Sequence, residues 1–358
     1  MAMTWRKLGL AALAAGVCAF AAPAAQAQEI VWRTAAPVPE GNFLYKSFMK
    51  PFAENVDRLT NGAVKIEVYG AGVLVPPLRI HEAVQEGTID AGHTSGTYIV
   101  NLDPANSILG SHPGGMGPEA MMHWLYEGGG LELWTEFRRE TMGLHPLVAG
   151  IGTTEILAQS TRPIRTCDDL SGLKHRTAGA WATILNEKFG GTGIVVPAGE
   201  IFTMLERKGI DSLEWATPGA NLVEGFHRIA KYIVVPGVHA NSFPWEVVVK
   251  AETWDALPQE RKTQLEAAAK LTTFQSYLKF GADDIDAMKT FKAGENEIIQ
   301  LDPDCVRRIE EAGREWILAQ AESKAAEGND WAKRIFESYD AFHQDWRQNS
   351  HYRALDRE

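Results

Sequence analysis

Cysteine is scarce: three residues in 358, with no Cys-x-x-Cys and no zinc-ligand spacing. That excludes a disulfide-framework fold and a structural zinc site. Positive charge is also in short supply, with 35 Lys and Arg against 46 Asp and Glu. Nucleic acid is therefore an unsuitable partner, because its phosphates demand a basic stripe. A small anionic ligand is not excluded, since one arginine in a cleft outweighs distant, screened charges. Beyond the N-terminus no apolar run approaches the roughly 20 residues needed to cross a bilayer. Familiar catalytic signatures are missing too: no Gly-x-Ser-x-Gly elbow, no His-Glu-x-x-His, no Gly-x-x-x-x-Gly-Lys-[Ser/Thr] loop. Gly114-Gly115-Met116-Gly117 follows no clear strand and reads as a turn. The ten histidines place no ligand pair on one helix face.

What is present begins with a leader. Arg6 and Lys7 precede an apolar run over residues 8–20, and Ala25-Gln26-Ala27 supplies small residues at the cleavage positions, so residues 1–27 read as a secretory signal peptide. Val17 before Cys18 is bulky for a lipoprotein site, which favours release over a lipid anchor; an uncleaved anchor is the alternative. Removal of the leader leaves 33 basic against 46 acidic side chains, a difference of −13. The remaining chain of about 330 residues suffices for two compact domains. Its two cysteines, Cys167 and Cys305, sit beside Asp168 and Asp304 in expected surface turns. An oxidising compartment would allow one bridge, but the reading favours two unbridged thiols.

Two stretches echo each other. Residues 80–94 and 201–215 each read as a short amphipathic helix, a glycine, and Ile-Asp leading into a strand (Ile89-Asp90 and Ile210-Asp211), although the glycine is displaced by one position. One such element in each half predicts two lobes and a cleft. Alternation of strand and helix predicts an α/β class with largely parallel sheets. The expected divisions are residues 28–143 for lobe 1, 144–250 for lobe 2 and 251–358 for a C-terminal helical region, packing on the lobes and on a dimer partner. A helix is expected over residues 42–59, kinked at Pro51. Trp254, Leu257, Leu265, Leu271, Phe274 and Leu278 are spaced for one helix face.

Four residues stand out as candidates for binding. Arg176 closes the run Gly172-Leu173-Lys174-His175-Arg176 and can offer a planar fork to a carboxylate; the plain alternative is a solvated or ion-paired arginine. Glu214 and Trp215 follow the second Ile-Asp at the carboxyl end of a strand, where open α/β sheets place ligands. Glu155 lies in an apolar context where a carboxylate needs a partner, either Arg176 or a metal ion; an ordinary surface loop is the alternative. By analogy between the echoes, His93 and Thr94 would face the cleft from the other lobe.

Together these segments resemble the extracytoplasmic solute receptors of TRAP transporters (DctP type), and within them the branch that binds α-keto acids and lactate fits best. The resemblance rests on Ile89–Thr94, Asp169–Arg176, Gly199-Glu200-Ile201-Phe202, Gly209–Trp215, Phe226–Tyr232 and Val235-Pro236-Gly237, in matching order over the whole mature chain. It implies a periplasmic-binding-protein-like fold, two α/β lobes joined by a hinge, long C-terminal helices, and transfer of a small organic monocarboxylate to membrane permease subunits. It further implies that Arg176 pairs with the ligand carboxylate, and that Glu214 and Trp215 border a Ca2+ or Na+ ion bridging to the ligand, with Glu214 as a metal ligand. The sequence departs from the pattern twice. Glu155 stands where that branch has glutamine, and Ala240-Asn241 stand where an acidic residue is expected after Pro236-Gly237-Val238-His239. Either Glu155 compensates and the cation stays, or the site is metal-free and Glu155 meets a hydroxyl or amine of another ligand; the reading leans to the second. The rival function is a secreted enzyme with Glu214 or Glu155 as base, and a third is a sensor receptor serving a membrane kinase.

Overall fold

The computed structural model describes residues 30–353; the expected signal peptide lies outside them. In chain order the first half comprises β1 (Ile30–Ala35), α1 (Lys50–Thr60), β2 (Val64–Tyr69), α2 (Ile80–Glu86), β3 (Ala91–Thr94), α3 (Ala105–Gly110), α4 (Pro118–Glu127), α5 (Gly130–Met142) and β4 (Leu144–Gly152). The helix expected from residue 42 begins as a wide π-type turn (Tyr45–Met49) and becomes α-helical at Lys50. Pro51 cannot donate a backbone hydrogen bond, so the loosened turn falls just before it. Asn61, with φ 49°, ends α1 in the left-handed conformation.

The second half continues with β5 (Ala158–Ser160), β6 (Lys174–Arg176), α6 (Gly179–Phe189), β7 (Thr192–Ile194), α7 (Ala198–Glu206), β8 (Ser212–Leu213), α8 (Pro218–Glu224), β9 (Tyr232–Val235) and β10 (Phe243–Lys250). Two mixed sheets result. The first has the order β2-β1-β3-β10-β4, with β1 parallel to β2 and β3, and β10 antiparallel to β3 and β4. The second has the order β11-β9-β5-β8-β6-β7, where β11 is Glu297–Gln300. Strands β4 and β10 fall in residues expected to belong to lobe 2, yet both pair in the first sheet. The chain therefore passes between sheets at residues 153–157 and 236–242, and sequence order alone did not reveal the return of β10. Glu246 on β10 is completely buried and fastens this sheet to its helices, accepting from Arg138 Nη2 (2.7 Å) and Trp134 Nε1 (2.8 Å), with His81 Nε2 2.9 Å away.

The echo has a shared structural basis. Ile89 and Ile210 are both buried. Asp90 accepts the backbone N–H of Arg33 at 2.9 Å, and Asp211 that of Lys174 at 3.0 Å. Each aspartate thus pins the start of its strand to the parallel neighbour. Aligned on Ile-Asp, the turn position is Gly87 (φ 77°) in one copy and Lys208 (φ 59°) in the other. The left-handed turn is common to both copies, and the second tolerates a lysine there at a cost of about 1–2 kcal/mol. That explains the displaced glycine.

The C-terminal region contains α9 (Ala251–Asp255), α10 (Gln259–Ala293), β11, α11 (Pro303–Ala326) and α12 (Trp331–Asn349). Pro258 divides the expected apolar stripe. Trp254, Leu257 and Leu265 are buried, but Phe274 and Leu278 are 42% and 69% exposed. The inner face of α10 instead uses small residues that let it lie close on β4: Thr273 Oγ1 donates to the Val148 carbonyl at 3.0 Å, and Ser276 Oγ accepts from Ile151 N at 3.0 Å. Farther along, Ala287 and Phe291 of α10 pack on Ile156 of the first crossover and Ile233 of the second sheet. Helices α11 and α12 share one core with residues of both lobes, including Leu125, Trp134, Leu173 and Trp181.

Cys167 and Cys305, expected to be unbridged, form a disulfide spanning 138 residues. Their neighbouring aspartates occupy first turns of helical segments, where negative charge suits the exposed N-terminus, while both cysteines face inward. The bridge ties lobe 2 to the start of α11. Cys167→Ser with Cys305→Ser should lower stability by up to about 5 kcal/mol, the loop-closure limit for such a separation. The decrease should appear as a lower Tm, matched in the unmodified protein by reductant. Identical melting with and without reductant would refute it.

Candidate functional site

Parallel pairing of β6 with β8 sets Arg176 beside Leu213, so Glu214 emerges next to the arginine and its N–H donates to the Arg176 carbonyl at 3.0 Å. The Arg176 side chain is 2% exposed. Its Nη1 donates to the Glu214 carbonyl (2.9 Å) and to Glu214 Oε1 (3.3 Å), and its Nη2 to the Val196 carbonyl (3.2 Å). Its Cζ lies 5.3 Å from the Trp215 ring centroid. Arg176 Nε and Trp215 Nε1 are buried and have no hydrogen-bond partner among the described residues. A buried donor left this way costs about 1–3 kcal/mol, which an incoming oxygen would relieve.

Glu155 arrives from the first crossover. Its backbone N–H donates to the Ala240 carbonyl at 3.1 Å, and the second crossover packs so closely that a Cβ on Gly237 would lie 2.0 Å from the Glu155 carbonyl oxygen. His239, on that second crossover, places Nε2 3.1 Å from Glu155 Oε2 and 3.8 Å from Glu214 Oε2. All three side chains are buried, and their donor atoms lie within 4.8 Å of one another.

These groups reset each other's protonation. Burial pushes the Glu155 carboxyl well above the usual carboxylate range, against the pull of the His239 hydrogen bond. Burial works the same way on Glu214, but the hydrogen bond from His239 and the Arg176 charge outweigh it and hold Glu214 low. For His239, burial disfavours the imidazolium, yet hydrogen bonding to both glutamates prevails and raises its value.

A partly open cavity of about 40 Å3 is lined by Glu155, Arg176, Glu214, Trp215 and His239. Ser95, Thr97, Tyr98 and Ser111 supply hydroxyls from the first half, and Phe243 and Trp245 supply aromatic wall. The four expected residues therefore meet at one cavity. His93 and Thr94 do not: both are buried, and His93 Nε2 donates to the Ala149 carbonyl at 3.1 Å. They belong to β3 itself, and the loop beyond its carboxyl end reaches the cavity. His239 was visible in sequence only as part of the stretch that lacks an expected acid. The hydroxyl and aromatic walls carried no sequence signal, because small polar residues and tryptophans occur throughout.

The donor set fits a cation. Two carboxylates offset its charge, three protein donors converge, and the adjoining cavity leaves positions for a ligand.

Residues 35–324 match the family described as bacterial extracellular solute-binding protein, family 7. The chain is 28% identical over 290 residues to a monocarboxylate 2-oxoacid-binding periplasmic protein of Nostoc sp. PCC 7120, covering 81% of this chain and 78% of the relative. A TRAP periplasmic solute-binding protein of Pseudoalteromonas atlantica, solved with bound sodium and pyruvate, superposes with a TM-score of 0.83 at 25% identity, covering 91% and 97% of the two chains. A TRAP solute-binding protein of Bordetella bronchiseptica, a mixed-occupancy dimer with calcium and picolinate in its occupied site, gives a TM-score of 0.84 at 23% identity, with 91% and 96% covered.

The raised values of Glu155 and His239 imply a pH dependence in chelator-treated, ligand-free protein. A carboxyl raised from 4.5 stabilises the folded state less as pH climbs from that value through its folded one. A histidine raised from 6.5 contributes stability below that pH and loses it as pH rises through its folded value. Both act in one direction, so Tm should fall from neutral to alkaline pH, and Glu155→Gln should flatten the decline. Parallel Tm–pH curves for the two proteins would contradict the assignment.

Proposed function

The chain belongs to family 7 of the bacterial extracellular solute-binding proteins, and on that premise we propose that it captures a small organic monocarboxylate in the periplasm for import by TRAP membrane subunits. One observation carries this reading: a fully buried arginine whose Nε lacks a partner among the described residues, beside a Trp215 Nε1 in the same condition, at the wall of a small cavity. Two donors held at fixed positions suit the oxygens of a carboxylate. The size of the cavity favours short acids over sugar acids, in keeping with the 2-oxoacid and pyruvate named for two similar proteins.

In this reading Glu155, Glu214 and His239 hold a cation, which supplies positive charge toward the ligand's oxygens. Arg176 orients the carboxylate, and its own charge is offset by Glu214. The hydroxyls of Ser95, Thr97 and Tyr98 approach from the first lobe as the cleft closes, excluding water from the charged groups. The role is capture without chemistry, since both glutamates are engaged by His239 or Arg176. Recovery of unaltered acid after prolonged incubation tests that point.

Helix α10 supports a second copy of the chain as partner. Leu271, Phe274, Leu278, Gly281, Ile285 and Met288 follow the 3-4 spacing of a heptad seam. Of these, Phe274, Leu278 and Ile285 are exposed, and the face at Gly281 is open. Leu278→Glu with Ile285→Glu should halve the mass measured by light scattering; a mass unaffected by the pair of substitutions removes the seam from consideration.

Pyruvate should raise the Tm of the unmodified protein by mass action. Arg176→Ala should abolish that response; Arg176→Lys, which keeps the charge but loses the fork, should retain a weakened one. A full pyruvate response in Arg176→Ala would overturn the proposal.

A further inference from the structure

Sodium and calcium take oxygen ligands, calcium six to eight of them. The cluster here offers a different set: one carboxylate oxygen each from Glu155 and Glu214, and the imidazole Nε2 of His239. The nitrogen is well placed. It is 3.1 Å from Glu155 Oε2 and 3.8 Å from Glu214 Oε2. Donors bound tetrahedrally at the roughly 2.0–2.2 Å typical of zinc stand about 3.3–3.6 Å apart, so each distance differs from that span by a few tenths of an ångström. Calcium and sodium gain little from an imidazole, whereas zinc, copper and nickel favour it. Independently, the unpartnered and buried Arg176 Nε and Trp215 Nε1 mark the adjoining space as one where a further oxygen-bearing group belongs. Three protein donors beside such a space form an open site, with a position left for the captured acid.

Resting on the carboxylate-capture reading above, we propose that this chain selects a divalent transition ion of the zinc class, through His239, in place of calcium or sodium. Ala240 removes a carboxylate from the expected set and Glu155 brings one where the pattern has glutamine, so the three donors that converge are two carboxylate oxygens and the His239 nitrogen.

The test is isothermal titration of the chelator-treated protein with ZnCl2, CaCl2 or NaCl alone. One zinc per chain should bind at least about 100-fold more tightly than calcium, and His239→Gln should weaken zinc by at least about ten-fold. Calcium or sodium binding as tightly as zinc overturns the proposal, as does unaltered zinc affinity in His239→Gln. Should that variant fail to fold, the unmodified protein loaded with Cu2+ decides: coupling to an imidazole nitrogen in its electron paramagnetic resonance spectrum supports the proposal, and an all-oxygen spectrum defeats it. Pyruvate stabilisation measured with calcium alone separates the two levels. If it occurs without zinc affinity, the metal inference falls and carboxylate capture stands. If zinc binds through His239 and no acid shifts Tm with any metal, the metal inference stands and capture falls.

Discussion

The ion pair between Arg176 and Glu214 is the constraint around which the site is organised. Both groups are withdrawn from water, and removing one partner of such a pair typically costs about 3–5 kcal/mol. The β6–β8 register makes the pairing unavoidable, because the two backbones are hydrogen-bonded at that point. Once Glu214 Oε1 is committed to the arginine, Oε2 is left toward His239. The guanidinium is likewise held on three sides, by Glu214, the Val196 carbonyl and the Trp215 ring, with Nε free. The site is thus rigid where charge is concentrated and supplied with simple hydroxyls where the first lobe meets it.

Helix α10 gives the two lobes a common support. At 35 residues it runs about 50 Å, lying on β4 near its start and on the second sheet near its end. Asp284 on this helix accepts from Thr153 Oγ1 and from Gly219 N (2.8 Å), binding the first crossover and the start of α8 to it. Between the two halves, Asn42 Nδ2 donates to Glu224 Oε1 at 2.6 Å. Opening the lobes must break that hydrogen bond, while the contacts along α10 keep the inner edge in register.

Much of this was legible in the sequence because it is local. The Ile-Asp echo specified equivalent helix-to-strand turns, and its displaced glycine reflects a left-handed position that one copy fills with Lys208. Arg176 and Glu214 could be singled out from their place at strand ends. The features that stayed hidden depend on pairing across long separations. Strand β10 returns to the first sheet beside β3 and β4; β11 lies in a stretch of helix-forming composition and becomes a strand because β9 offers an open edge. The bridge was weighed and disfavoured because an aspartate beside a cysteine suggests exposure, whereas these aspartates are first-turn residues of helical segments whose cysteines point inward. His93 was misplaced because the echo equates strands, and the cavity is lined by the loop at the carboxyl end of the strand.

The two crossovers run side by side, with Glu155 N–H bonded to the Ala240 carbonyl. A carboxylate needed at this point in space can therefore be supplied from either strand of the chain. The acid that the resemblance leads one to expect after His239 and the acid present at position 155 belong to these two paired segments. Comparing such sequences column by column would score two separate departures from pattern, whereas summing carboxylates over the paired crossovers would score none. The two segments are therefore read together, and a signature written for either one alone misses the pairing of Glu155 with Ala240.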